Sequence, residues 1–328
     1  MSPTSPIRRR SHFIPTPRAG AGHRLTARDQ AILALLRSYR LMRTPHIVEH
    51  LLYTHPEGIS AQNSSRRLRV LMDAGLTMRV RNDQQAKAVA RGSLPKIHAL
   101  NIRRNQLLNE RTTAAGQIVP HALSVSETMA YSVVRACRAT GGRLRLIDSD
   151  EILSTMASEQ TKKRSKPLTW HVKVQHQQKR YILANTPDRL FGIHPTNRKS
   201  SNSPFFVLEE DRSSETVLPK NLLKSTIYRK ALCYVFARYL KLPEQMFGIR
   251  NFRVLFVTCS KKRALHMTEM YDLVNQELKA FQRKSGVKPT GCPPNVFLFI
   301  DRPTLRQSDI FSAQWINGQG KPHQIQFS

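Results

Sequence analysis

Short apolar segments alternate with long amphipathic segments through the second half of the chain, and this alternation limits the fold more than any other feature. Strand-like apolar runs occur at 204–208, 252–258 and 296–300, with shorter alternating runs at 143–147, 170–174, 181–184 and 189–193. Apolar residues with helical spacing fill about 218–240 and 261–284. Strands that alternate with helices in this way predict a mixed α/β sheet.

A different pattern, three short helices followed by a hairpin, covers residues 25–100. Thr26 and Asp29 predict a capping-box start for the first helix, and Thr44-Pro45 predicts an N-cap hydroxyl and a first-turn proline for the second. A third helix is expected from about Ser60, with Gly75 as its stop. Strand patterns at 76–81 and 96–100 flank a basic tip. This order predicts a winged helix-turn-helix, and the alternative is a solvated basic helix in a small helical domain.

The third helix has an apolar face and a face suited to nucleic acid. At about 100° per residue, the inner face is predicted to contain Ala61, Ser64, Leu68, Leu71 and Met72. Arg side chains match guanine edges, and Asn or Gln side chains match adenine edges. The residues predicted to contact bases are Gln62, Asn63 and Arg66. The residues predicted to contact phosphates are Arg67, Arg69, Arg79 and Arg81.

The charge of the chain favours a polyanionic partner. Lys and Arg number 53 against 22 Asp and Glu, a formal net charge of +31, and residues 1–24 are expected to form a disordered basic arm. No run approaches the roughly 20 apolar residues of a membrane span, so no membrane partner is expected. Four cysteines without metal-ligand spacing predict neither disulfides nor a metal site, which favours a cytoplasmic, nucleoid-associated protein.

Carboxylates at predicted strand ends are the exception in this basic chain. Asp188 precedes one strand, and Glu209 and Asp211 close the next with their side chains on the same face. Carboxylates gathered at strand ends can bind Mg²⁺, as in nucleases of the PD-(D/E)xK type, whose lysine would here be replaced by Lys230 or Lys224. Asp188 and Glu209 would be the metal ligands. The alternative is that the acids are structural and pair with Arg189, Arg212 and Arg229.

Two further polar features receive structural interpretations. Glu127 is predicted near a helix start, where its charge would favour the helix dipole. His46 and His50 share a helix face without a third ligand, so they are interpreted as surface groups.

The order of several short motifs resembles that of the replication-relaxation proteins, a family linked to plasmid replication and mobilisation. The matching segments are 25–33 (LTARDQAIL), 66–68 (RRL), 71–76 (LMDAGL), 121–125 (HALSV), Pro187-Asp188, 205–211 (FFVLEED), 214–216 (SET), Lys230 and Tyr234. The resemblance covers about residues 25–260. It implies a winged helix-turn-helix joined to a restriction-endonuclease-like domain of mixed sheet, hence an α+β or α/β chain. The expected domains are 25–112 and 118–328, with an exposed basic loop at 154–168.

Three functional hypotheses follow. The leading one is a sequence-biased double-stranded DNA-binding protein, an accessory or regulatory factor in replication, mobilisation or transcription of plasmid or mobile DNA. Its further partners would be replication, mobilisation or transposition proteins. The second is a metal-dependent DNA endonuclease that uses Asp188, Glu209, Asp211 and Lys230 with Mg²⁺. The third is an RNA-binding scaffold, which is less favoured because few aromatic residues accompany the basic runs.

Overall fold

The chain divides into two compact units, Met1–Ala130 and Tyr131–Ser328. The computed structural model describes residues 13–14, 25–57, 59–80, 95–101, 115–176, 179–197, 203–213, 215–218 and 222–326. The predicted basic arm, apart from residues 13–14, and the predicted hairpin tip with Arg81 lie outside this range. The architecture is mixed α and β, with a multi-stranded mixed sheet, as predicted.

The first unit combines helices with a small antiparallel sheet. Its helices are α1 (Ala27–Tyr39), α2 (Thr44–Thr54), α3 (Ala61–Asp73) and α4 (Ala115–Thr128). Its strands are β1 (Phe13–Ile14), β2 (Met42–Arg43), β3 (Thr77–Val80) and β4 (Ile97–Leu100), in the order β1-β3-β4-β2. Helix α4 packs against β2 and α1, so this unit continues past residue 112, where the sequence predicted its end.

Local capping explains where the helices of the first unit begin. The Thr26 hydroxyl accepts from the Asp29 amide, and the Asp29 carboxylate accepts from the Thr26 amide, which completes the predicted capping box. Ser60 caps α3, and Gly75 follows it at a φ of 72°. Thr44 was wrongly predicted as the cap of α2. It lies inside the helix, and its hydroxyl bonds His98 Nε2 at 3.1 Å.

The prediction that His46 and His50 are surface groups is wrong. Their exposed fractions are 2% and 4%, because they lie on the same face of α2 as Ile47 and Leu51. His46 Nδ1 bonds Ser126 Oγ at 3.0 Å. The i, i+4 spacing of the two histidines therefore marks the inner face of a helix.

The second unit is organised around a seven-stranded sheet with the order β13-β12-β11-β10-β9-β8-β5. Its strands are β5 (Leu144–Ile147), β8 (Arg189–Pro195), β9 (Phe205–Glu210), β10 (Phe252–Thr258), β11 (Phe297–Asp301), β12 (Trp315–Asn317) and β13 (Pro322–His323). Strands β9, β10 and β11 are parallel, and the remaining pairs are antiparallel. A separate hairpin joins β6 (Trp170–His176) to β7 (Lys179–Asn185).

Helices between the parallel strands cover one face of this sheet. The helices of the unit are α5 (Arg135–Ala139), α6 (Ser149–Glu151), α7 (Glu159–Lys162), α8 (Ile227–Tyr239), α9 (Leu242–Phe247), α10 (Lys261–Lys284) and α11 (Arg302–Arg306). Helix α8 connects β9 to β10, and α10 connects β10 to β11. Alternate residues such as Val207, Val254 and Phe256 join α8 and α10 in one apolar core. Two parallel connections of this kind align the carboxyl ends of three strands at one edge.

Three predicted elements differ from the structure. Helix α8 begins at Ile227 rather than near 218, because Thr226 caps it. The predicted loop at 154–168 contains α7 and a π-helical turn (Ile152–Met156), since Ile152 and Ala157 are buried in the core. Glu127 lies near the end of α4, so the predicted contact with a helix start is wrong.

The cysteines agree with the expectation that the chain lacks disulfides. Cys137, Cys233, Cys259 and Cys292 are all free thiols. Among the described helices, none combines the length and the apolar character needed to cross a lipid bilayer.

Candidate functional site

An acidic cluster, defined as Asp188, Glu209, Glu210, Asp211 and Glu215, lies at the carboxyl end of β9. Strand β8 runs antiparallel to β9 with Arg189 opposite Leu208, so the residue before β8 lies beside the end of β9. The Glu210 amide donates to Asp188 Oδ2 at 2.8 Å. The sequence order of strands thus brings the two predicted acidic segments together, at the sheet edge where open α/β sheets bind ligands.

Glu209 is the most enclosed carboxylate of the acidic cluster. It points to the α8 side of the sheet, and its side chain is 2% exposed. Its oxygens accept hydrogen bonds from the Tyr234 hydroxyl, from Lys230 Nζ at 2.9 Å and from Asn185 Nδ2 at 3.3 Å. Lys230 and Tyr234 stand one helical turn apart on α8, which is why both reach the same carboxylate.

Lys230 is the cation that pairs with Glu209 and Glu215 of the acidic cluster. Its Nζ also lies 3.1 Å from Glu215 Oε2. Burial opposes its charge, but Glu209, Glu215 and Asp188 outweigh burial and raise the pKa of Lys230. Burial raises the pKa of Glu209 as well, against the attraction of Lys230. Because Lys230 is the stronger base and faces three carboxylates, we assign the proton to Lys230 and the negative charge to Glu209.

Two further carboxylates at this edge, Asp211 and Glu210, are held by arginines. Asp211 forms a two-pronged pair with Arg263, at 2.8 Å from Nε and 3.1 Å from Nη2, and it accepts from the Thr258 hydroxyl at 2.6 Å. Glu210 points to the opposite face and pairs with Arg302 at 2.5 Å. A buried carboxylate is stable as a charged group only where it has a bidentate partner or several hydrogen-bond donors.

The acidic cluster as arranged does not fit a Mg²⁺ ion. Mg²⁺ needs carboxylate oxygens that are free to coordinate it in near-octahedral geometry. Three donors occupy Glu209, and Arg263 and Thr258 occupy Asp211. Within the described ranges, no group of three His, Cys, Asp or Glu side chains has a metal-binding arrangement.

The partners of the acidic cluster were only partly foreseen. Lys230, rather than the exposed Lys224, reaches Glu209. Arg229, predicted as an acid partner, donates instead to the Ala184 carbonyl at 3.2 Å. Sequence reasoning missed Asn185 and Arg263, although Arg263 lies in the first turn of α10, beside the end of the neighbouring strand. That topological position is the signal that could have identified it.

In the first unit, helix α3 presents the predicted nucleic-acid face to solvent. Gln62, Asn63, Arg66 and Arg69 are exposed, whereas Ser64, Leu68 and Leu71 are buried. The pattern of exposure matches the predicted inner and outer faces of the helix except at Ala61, which was predicted on the inner face and is exposed in the first turn. Gln62, Arg66 and Arg69 follow one another at i+4 and i+3 spacing, so they form one continuous stripe.

Further cations extend the stripe of α3. The pKa of Lys96 is lowered by the charge of Arg79, by burial and by the charge of Arg69, so these cations are near enough for their charges to interact. Arg79 lies on β3 opposite His98 on β4. We call Gln62, Arg66, Arg69, Arg79 and Lys96 the basic face of the first unit.

Arg67 has a different environment from the other arginines of α3. It forms an ion pair with the fully buried Asp29, in which Nε lies 2.9 Å from Oδ1. This contact raises the pKa of Arg67 and ties α3 to the start of α1. A phosphate contact from Arg67 stays a prediction, but the ion pair gives the side chain a structural role.

Comparison of the chain with known protein families, with curated proteins and with solved structures gave no match in any of the three.

Proposed function

We propose that the first unit is a winged helix-turn-helix that binds double-stranded DNA through its basic face. The observation that carries the proposal is the exposed stripe Gln62, Arg66 and Arg69 on α3, continuous with the cations of the β3–β4 hairpin. A helix of this kind enters the major groove and contacts base edges, while a hairpin contacts the backbone. Mutual repulsion among Arg69, Arg79 and Lys96 is relieved when phosphates approach.

The whole chain supports the same partner. A formal charge of +31 increases the rate of encounter with a polyanion. The carboxylates Glu209, Glu210 and Asp211 are each paired with a cation, so they repel DNA less than free carboxylates would. With the resemblance to replication-relaxation proteins, we propose an accessory or regulatory factor in replication, mobilisation or transcription of plasmid or mobile DNA.

Arginine variants of α3 test the proposal. We expect Arg66→Ala to relax preference at one base position by about 1–3 kcal/mol, because a bidentate contact to guanine is lost. We expect Arg69→Ala to weaken binding to all sequences and to reduce the salt slope by about 1. Sequence selection from a random DNA pool and fluorescence anisotropy at several salt concentrations measure these effects.

The control is Arg37→Ala, which removes an equal charge from the exposed side of α1. If Arg66→Ala selects the same sequences as the wild type with the same discrimination, α3 does not read bases. If Arg37→Ala and Arg69→Ala change the salt slope equally, the charge effect is not localised to the basic face.

A second candidate function is DNA cleavage. The observation that favours it is the convergence of Asp188, Glu209 and Lys230 at one sheet edge. The occupied oxygens of Glu209 and Asp211 favour the alternative, in which the acids are structural. We therefore expect supercoiled plasmid incubated with Mg²⁺ or Mn²⁺ to give identical bands with wild type and Asp188→Ala. Nicking by the wild type that Asp188→Ala abolishes would establish the nuclease instead.

A further inference from the structure

A cleft in the second unit lies away from the acidic cluster. It has a volume of about 580 Å³ and lies between the end of α8, helix α9, the second half of α10 and residues 287–293. This volume is within the range of about 300–1,000 Å³ that is typical of small-ligand sites.

Cations without acidic partners line the cleft. Arg238, Lys241 and Lys288 form no ion pair in the part of the chain that the structure describes, and Arg250 lies 3.6 Å from Glu244. Arg238 is half-buried and donates to the Phe252 carbonyl at 3.3 Å. Burial lowers the pKa of Arg238, which is the expected effect of a desolvated cation without a counter-charge. An anion in the cleft would supply that charge.

The backbone at Lys241 is held in an unusual conformation. Lys241 has φ 54° and ψ 30°, in the left-handed region that disfavours a residue with a Cβ atom. The Lys241 amide donates to the Arg238 carbonyl, and its carbonyl accepts from the Gln245 amide, both within 3.1 Å. A lysine at a position where glycine would be less strained is a reason to look for a function of its side chain.

Apart from Glu244, the other residues that line the cleft are apolar or neutral, and one wall is fixed by hydrogen bonds. Val235, Tyr239, Leu278 and Val287 line it beside the cations. Val235 and Leu278 are buried, so Tyr239 and Val287 provide the accessible surface of this wall. Gln282 Oε1 accepts from the amides of Thr290 and Gly291 at 3.0 and 3.2 Å, so this side of the cleft is preformed. A preformed site reduces the entropy lost on binding.

We propose that this cleft binds a nucleotide, with its phosphate at Arg238, Lys241 and Lys288 and its base against the apolar wall. Cations alone would suit any small anion. An apolar wall beside them selects an anion that carries a flat, weakly polar group, which is the chemistry of a nucleotide. The nucleotide is either free in solution or one residue of a nucleic-acid strand, and the proposal does not depend on DNA binding by the first unit.

Titration calorimetry of the full chain with AMP, at physiological salt, tests the proposal. We expect one AMP per chain, with affinity weakened about fivefold by Lys288→Ala and by Lys241→Gly, because each removes a charge from the cleft. Lys166→Ala, which removes an exposed charge elsewhere, should leave AMP binding unchanged. Lys241→Gly also relieves the backbone, so its urea midpoint should equal or exceed that of the wild type, and misfolding cannot explain a loss of binding.

Two results overturn the proposal. One is the absence of saturable AMP binding, or AMP binding that Lys241→Gly and Lys288→Ala leave unchanged. The other is equally tight binding of inorganic phosphate, which would show that the apolar wall plays no part. A 5′-phosphorylated trinucleotide then separates the two sources of the ligand. If the trinucleotide displaces AMP at a concentration below the dissociation constant of AMP, the ligand is a residue of a strand. If displacement needs a concentration above that constant, the ligand is the free nucleotide.

Discussion

At the scale of single residues, the buried acids at the end of β9 are held in specific ion pairs. Glu209 has Lys230, Tyr234 and Asn185, and Asp211 has Arg263. Removing one partner from a buried pair leaves an uncompensated charge, which costs more free energy than the pair itself contributes. The acidic cluster therefore makes the second unit sensitive to loss of its cations.

Replacing Lys230 by Met should destabilise the second unit by about 3–5 kcal/mol, because the buried Glu209 would lose the cation that offsets its desolvation. Urea unfolding followed by tryptophan fluorescence measures the change, since both tryptophans, Trp170 and Trp315, lie in this unit. The matched control is Lys162→Met, which breaks the exposed pair with Glu159 and should cost about 1 kcal/mol or less. Equal losses in Lys230→Met and Lys162→Met would contradict the assignment of a buried ion pair between Lys230 and Glu209. Adding Glu209→Gln to Lys230→Met should recover part of the lost stability.

Strand order made the meeting of Asp188 and Glu209 predictable, and Lys230 was predicted as a candidate partner, whereas Arg263 was missed. Strands β8 and β9 are consecutive in the sequence and pair antiparallel, so the end of β9 lies beside the start of β8. Arg263 comes from the helix that follows the next strand, β10, and its contact with Asp211 depends on how α10 packs on the sheet. A sequence carries periodicity within each element but no direct signal for such packing.

At the scale of elements, helix starts were predicted best where a cap is encoded locally. Thr26, Ser60 and the serine before α10 each accept from the amide three residues on. The start of α8 was missed, because apolar residues such as Leu222 precede it and are buried without being helical. Hydrophobic spacing alone does not separate a buried loop from the first turn of a helix.

Thr26→Ala should destabilise the first unit by about 1 kcal/mol, because the amide of Asp29 loses its acceptor and the capping box is broken. Thr26→Ser keeps the hydroxyl and should stay close to wild type. Urea unfolding followed by far-ultraviolet circular dichroism measures both variants. If Thr26→Ala and Thr26→Ser have the same midpoint, the hydroxyl cap does not contribute to stability.

At the scale of the whole molecule, charge and burial act differently in the two units: the second unit pairs its buried acids with cations, whereas the first unit buries histidines near cations. The first unit buries histidines among arginines: burial, then the charge of Arg43, lowers the pKa of His46 to about 3. Burial, then Arg79 and Lys96, lowers the pKa of His98 to about 4. Two cations of the basic face, Arg79 and Lys96, thus also oppose protonation of His98, so the proposed DNA binding and the stability of this unit depend on the same side chains.

Acid should therefore destabilise the first unit before its carboxylates titrate. An unfolded histidine takes up a proton near pH 6.5, whereas the folded His98 and His46 do so only near 4 and 3. Their stabilising contribution is complete above pH 6.5 and decreases as the pH falls, by about 2 kcal/mol per histidine at pH 5. Urea unfolding by circular dichroism at pH 7 and 5, with tryptophan fluorescence reporting the second unit, measures this loss. His46→Gln with His98→Gln should remove most of the pH dependence, whereas exposed His55→Gln should keep it. If the double variant loses as much unfolding free energy between pH 7 and pH 5 as the wild type, His46 and His98 do not cause the loss.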